Sequence, residues 1–154
     1  WKENYRLWMD ALRRFARMGG VITTGEDAGY IYLLHGFGLL RELELHLEAG
    51  FHPLEVVQHA TFNGARVLGR EGEFGRIRTG LSADLIVVHG NPLADFKVLY
   101  PGGATRLRDG RVETCEGIRW TIKAGTLYHA PTLLADVRAL VRAAREGKAE
   151  REDG

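Results

Sequence analysis

Cysteine is nearly absent from this sequence: Cys115 stands alone among 154 residues. That excludes an internal disulfide and any CxxC metal or redox site. Long apolar runs are missing too, and nothing approaches the roughly 20 residues that a bilayer-crossing helix needs. Charge of one sign is not in excess, since 21 Lys and Arg face 20 Asp and Glu for a formal net charge of +1. A dedicated nucleic-acid binder would gather a basic surplus on one element. The sequence also lacks a GxSxG elbow, a P-loop, an HxH, an HExxH and any Cys/His ligand spacing. No signal-peptide pattern follows Trp1, and the chain reads as the C-terminal part of something longer, with a cytoplasmic setting expected.

What remains is an ordinary globular composition, 45% apolar and 27% charged, sized for one domain or two small ones. Tyr5, Trp8, Met9, Leu12, Phe15 and Ala16 recur at helical spacing, which predicts an amphipathic helix packed into a core and stopped at Gly19-Gly20. Val21 to Thr24 is short, apolar and β-prone, as in a strand buried on both faces. Tyr30 to Gly38 is a loop rich in aromatics and glycine. A second helix is expected from about Leu39 to Ala49, and a third from Leu54 to about Ala60 with His52 as its cap and Pro53 at its first position. Thr61 or Asn63 is placed to start a short fourth helix.

Past Gly69 glycines punctuate the chain and strands replace helices. Leu85 to Val88 forms a strand closed by Gly90-Asn91-Pro92. Asp109-Gly110 centres a hairpin in which Leu107 faces Val112 and Arg106 faces Glu113. Its Thr105, Leu107, Val112 and Thr114 face is expected to pack, leaving Arg106, Arg111, Glu113 and Cys115 wet. A second hairpin turns at Ala124-Gly125 and sets Ile122 opposite Leu127. Pro131 opens a last helix over 131–147, with a charged, frayed tail over 148–154.

Chemistry in this chain centres on the strand end Gly25-Glu26-Asp27-Ala28-Gly29. A carboxylate there either ligates a metal and takes a proton from water, or caps the following turn. Asp27 is the stronger candidate of the pair, because adjacent residues project in different directions. The six histidines are scattered. His46 and His59 fall within helices as partly solvated or core-edge residues, His52 reads as a cap, and His89 and His129 lie at strand ends. His35 differs: it lies beside glycine in the loop after Asp27, a setting suited to a substrate contact.

Several stretches together resemble one family, the metal-dependent amidohydrolases. Gly25-Glu-Asp-Ala-Gly29 resembles the Gly-Thr/Ser-Asp-Ala/Ser segment at the last barrel strand of that family. The run from Leu43 to Gly69 is similar to its EAG-x-(S/T)P-xEA…AT-xN-(A/G)A-x-xLG pattern. Gly75 to Pro92 resembles its G-x-I-x-xG-x-xADLIV-x-x-GNP signature, and Arg119 to Tyr128 its closing strands. The similarity points to the imidazolonepropionase-like and Xaa-Pro-dipeptidase-like branch.

The resemblance implies an α/β chain that is the C-terminal piece of a (β/α)₈ barrel, joined to the C-terminal half of a composite β-sandwich and a terminal helix. Residues 1–69 would belong to the barrel and residues 70–130 to the sandwich. Asp27 would be both metal ligand and general base, and His35 would sit at the barrel mouth as a substrate-binding residue. The metal would be a divalent ion, zinc first, with one or two ions and the other ligands outside this chain. The implied reaction is hydrolysis of a C–N bond in a small amide, cyclic amide or dipeptide. Deamination, or a non-catalytic role in folding or assembly, are the alternatives. The implied partners are that small-molecule substrate and the remainder of the enzyme N-terminal to Trp1, with homo-oligomerisation left open and neither nucleic acid nor membrane engaged. Two departures stand out: Glu26 replaces the family's small Thr or Ser, and His52 replaces its Thr or Ser cap.

Overall fold

The computed structural model describes the backbone of residues 1–152 and the side chains of residues 1–146. Helix α1 spans Lys2–Arg17, with Glu3 in its first turn and Arg14 and Arg17 in its last, a charge order that suits the helix dipole. Its stripe does less packing than its periodicity predicts. Met9, Leu12 and Ala16 lean on the core, whereas Trp8 and Phe15 stay more than half exposed. Trp8 instead meets Trp1 edge-on, with ring centroids 6.0 Å apart.

The strand expected after α1 is absent. Val21 to Thr24 forms no strand, because no other segment in the described residues offers it a backbone ladder. Ile22 is nonetheless buried in the core.

Helix α2 covers Gly38–Glu48 and α3 covers Pro53–Gln58. α3 begins as expected from Pro53: the His52 ring accepts from Leu54 N, and Glu55 accepts from His52 N at 2.7 Å. No second helix start separates α3 from α4. The chain continues without a break through a π-helical turn, His59–Asn63, into α4, Gly64–Val67. Asn63 stands at the N-cap position of α4, as one of the two expected starts, but makes no side-chain cap hydrogen bond. Thr61 donates its hydroxyl back to Val57 O, a bond that fits a helix interior.

The interior is built mainly from this region. Ile22, Leu40, Leu43, Ala49, Phe51 and Val56 form one cluster with Phe96 and Leu99, the latter two from a 3₁₀ turn at Phe96–Leu99. Tyr5 and Arg41 both bond Glu48, tying α1 to α2 at the surface.

The strands are β1 Leu85–Val88, β2 Ala104–Arg108, β3 Arg111–Cys115, β4 Ile118–Lys123 and β5 Thr126–His129. They form an antiparallel sheet of order β1-β4-β5 and a separate β2-β3 ribbon. Both hairpin registers agree with the sequence reading: Leu107 faces Val112, and Ile122 faces Leu127. Asp109, Gly110, Ala124 and Gly125 all have positive φ, as tight hairpin turns require. Asp84, just before β1, holds the second turn by accepting from Lys123 Nζ at 2.9 Å and Ala124 N at 2.8 Å.

The faces of the ribbon are the reverse of expectation. Leu107 and Val112 are 74% and 72% exposed, while Arg106, Glu113 and Cys115 are half-buried. An ion-pair network decides this: Arg106 reaches Glu113 at 3.2 Å and Asp95, which caps the 3₁₀ turn, at 3.1 Å. Cys115 accordingly lies on the inner face, its thiol donating to Ala104 O.

The last helix, α5, runs from Ala130 to Glu152, longer than the 131–147 expected. Of the charged tail, residues up to Glu152 are thus helical and residues 153–154 lie outside the described ones. No helix among the described residues is long and apolar enough to cross a membrane.

Candidate functional site

The segment Val21–Gly29 sits between α1 and α2, and side chains rather than strands hold it. Asn63, 8% exposed, donates Nδ2 to Ile22 O at 2.7 Å and accepts from Gln58 Nε2 at 3.2 Å. At the other end, Gly25 N donates to Glu42 Oε1 across 3.4 Å. The backbone beyond turns sharply. Asp27 has φ +51, a left-handed conformation that an Asp tolerates better than most residues. Its carbonyl accepts from Tyr30 N.

The two carboxylates are separated by their surroundings. Glu26 is half-buried, its side chain lying against Gly38 at the start of α2. Asp27 is exposed, and among the described residues its carboxylate makes no hydrogen bond or salt bridge. A free, exposed carboxylate at a constrained turn is available as a ligand or proton acceptor. A metal needs more than this. Among the described residues no group of three His, Cys, Asp or Glu could hold an ion, so Asp27 fits such a site only as one of its ligands.

His35 lies on the same loop and is exposed. Its ring covers Gly29: a Cβ there would stand 3.1 Å from His35 Nε2, and Gly29 has φ +97. The positive φ favours glycine at this position. Ile31 and Tyr32 also have positive φ, unusual for a β-branched and a bulky residue and a form of strain that clusters at functional loops. The structure therefore places Asp27 and His35 in one loop, joined through Gly29, with no hydrogen bond between them among the described residues.

The sequence reading missed what lies behind this loop. His46 and His59 are not solvated; they are 5% and 6% exposed. Their Nδ1 atoms are 3.1 Å apart, so one ring donates and the other accepts. Phe51 closes the cluster, edge-on to His59 with centroids 4.8 Å apart. Burial lowers the pKa of both rings. Glu42, 3.7 Å from His46 Nε2, acts against the shift in His46, whereas the neighbouring His46 adds to it in His59. The signal available in sequence was spacing: Val56, His59 and Asn63 fall on one helical face.

A second concavity, of about 400 Å³, lies between β4, β5 and the start of α5, lined in part by Arg119, His129 and Arg138. It contains neither Asp27 nor His35.

Comparison with known proteins places these features. The model described as Amidohydrolase family matches residues 9–112. Adenine deaminase 4 of Rhizobium meliloti (strain 1021) is 33% identical over 72 residues, covering 46% of this chain and 12% of that protein. A solved Xaa-Pro dipeptidase with methionine bound in its active site is similar at TM-score 0.61 and 31% identity, covering 79% of this chain and 25% of that one. A putative prolidase from Bifidobacterium longum gives TM-score 0.61 and 32% identity, covering 75% and 25%. The chain thus spans a minor part of each relative's length. The matched stretch runs from α1 through the Asp27 turn, the buried His pair and β1 into the β2-β3 ribbon, and the chain belongs to the amidohydrolase family.

Proposed function

We propose that this chain supplies the catalytic aspartate of a metal-dependent amidohydrolase that hydrolyses a C–N bond in a small amide, cyclic amide or dipeptide. In this reading residues 1–69 are the last part of a (β/α)₈ barrel, with Val21 to Thr24 as its final strand. Residues 70–130 are the C-terminal half of a composite β-sandwich. The remaining barrel strands, lying outside this chain, would pair with Val21–Thr24 and bring the other metal ligands.

A divalent ion, zinc first, would polarise the scissile carbonyl and acidify the attacking water. Asp27 would be one of its ligands and would take the proton from that water, passing it to the leaving nitrogen. His35, exposed on the same loop, would contact the substrate. Glu26, half-buried against Gly38, would leave the proton transfer to the more exposed Asp27. The observation that carries the reading is the exposed Asp27 carboxylate, unengaged by described side chains, at a left-handed turn inside the family-matched stretch.

The test is turnover of Xaa-Pro dipeptides and small amides by the enzyme containing this chain, before and after chelation. Asp27→Ala should abolish turnover and leave the melting temperature unchanged; an active Asp27→Ala enzyme sinks the assignment. The similarity to adenine deaminase 4 favours a second reading, deamination by the same water chemistry. Release of ammonia rather than a cleaved amide would select it. Stoichiometric zinc in the 154-residue chain alone would contradict the view that the other ligands lie elsewhere.

A further inference from the structure

Among the described residues Val21–Asp27 has no strand neighbour, and the contacts that hold it come from side chains of the neighbouring helices. We propose that Asn63 and Glu42 are positioning residues for Asp27, gripping its segment at Ile22 and at Gly25 from the helical side. The inference rests on the proposed role of Asp27 and adds what sets its place.

Both grips involve the π turn His59–Asn63, in which His59 and Asn63 are buried. Such turns are inserted at functional sites more often than elsewhere. Asn63 forms the first grip, with both ends of its amide used: Nδ2 on Ile22 O at 2.7 Å, and Oδ1 accepting from Gln58 at 3.2 Å. The Gln58 contact fixes the amide's orientation and so aims its donor at the segment.

His59 starts the second grip. It meets His46 at 3.1 Å, His46 Nε2 lies 3.7 Å from Glu42 Oε1, and the same oxygen accepts from Gly25 N at 3.4 Å. The charged groups facing the two rings are Glu42 from α2 and Glu55 from α3. A carboxylate between a backbone N–H and a buried imidazole has few rotamers left, which is what a positioning group requires. Asp27 itself lies two residues beyond Gly25 and is touched by neither grip.

The experiment uses the full 154-residue chain, labelled for NMR. Asn63→Ala and Glu42→Ala should each shift the amide resonances of residues 22–25, and Glu42→Ala should speed exchange of the Gly25 amide, which donates to Glu42, about tenfold, the loss expected when one hydrogen bond's worth of local stability goes. The resonances of β4 and β5 should stay in place. Glu42→Gln keeps the acceptor oxygen and should restore the Gly25 amide shift. Asn63→Asp keeps the side-chain volume and removes the Nδ2 donor to Ile22 O, so its effect on the 22–25 amides decides the question even if an alanine variant fails to fold. Unmoved 22–25 resonances in Asn63→Asp and Glu42→Ala, or no recovery of the Gly25 amide in Glu42→Gln, would overturn the proposal. Asp27→Ala should leave the amides of residues 22–25 in place, so a failure of the Asp27 assignment is read separately, from turnover.

Discussion

In residues 1–69 the chain is held by side chains packed and bonded in an interior; from Leu85 to His129 it is held by backbone ladders with much of each face in solvent. Leu40, Leu43, Val56 and Ile22 are buried, and Asn63, His46 and His59 are buried among them. In the ribbon, Leu107 and Val112 project outward although they sit opposite each other in good register. The contrast teaches where each region takes its specificity. Backbone pairing fixes register whatever covers the faces. A segment without ladder partners, such as Val21–Asp27, depends on particular atoms of particular side chains. The candidate site lies in the region whose geometry is set in that second way.

Truncations should expose the contrast most strongly. Leu43→Ala removes a side chain from the core and should cost about 2–5 kcal/mol in urea unfolding. Leu107→Ala, at an exposed ribbon position, should stay within about 0.5 kcal/mol. Equal losses at both sites would mean that the ribbon face is covered after all. Next in size is Asn63→Leu, which strands the buried Ile22 carbonyl and should cost about 1–3 kcal/mol.

Acid should weaken the helical region before the sheet. Burial depresses the pKa of His46 and His59, so the unfolded chain takes up their protons first as pH falls below about 6.5. Stability from the pair is therefore complete above that pH and is lost as pH drops toward the folded-state values. Melting temperatures measured between about pH 7 and pH 5 should decline, and the decline should be shallower in His59→Phe. An identical slope in that variant would remove the pair from the account. The carboxylates Glu48, Glu73 and Asp84 are shifted down by their bonded partners, Tyr5 and Arg41, Arg70, and Lys123 respectively. Their contributions are lost at still lower pH, as it falls from the ordinary carboxylate range toward the lower folded-state values. The smallest effect belongs to the α3 cap: His52→Ala should cost about 1 kcal/mol or less, with helix loss by circular dichroism confined to a few residues.

Much of this was legible in the sequence because local rules decided it. Pro53 with His52 and Glu55 specified a helix start, and Asp109-Gly110 and Ala124-Gly125 specified turns and therefore register. Long-range contacts overrode local pattern elsewhere. Arg106 lies inward because Asp95, eleven residues earlier, pairs with it, which no alternation of apolar residues reveals. Val21–Thr24 has strand composition without strand neighbours. The buried His46–His59 contact joins α2 to the π turn, a long-range meeting that the helical spacing of Val56, His59 and Asn63 hints at but does not specify. Asp27 and His35 were legible as candidates by position, but the grips of Asn63 and Glu42 behind them were not.

The central claim is that Asp27, and not its neighbour Glu26, is the working carboxylate. The direct measurement sets Asp27→Asn beside Glu26→Gln in the enzyme containing this chain, comparing kcat and melting temperature. Asp27→Asn should lower kcat by about 10²-fold or more with an unchanged melting temperature, while Glu26→Gln should keep kcat within a few-fold. A fully active Asp27→Asn enzyme, or a loss of kcat at Glu26→Gln of the same size, would contradict the account.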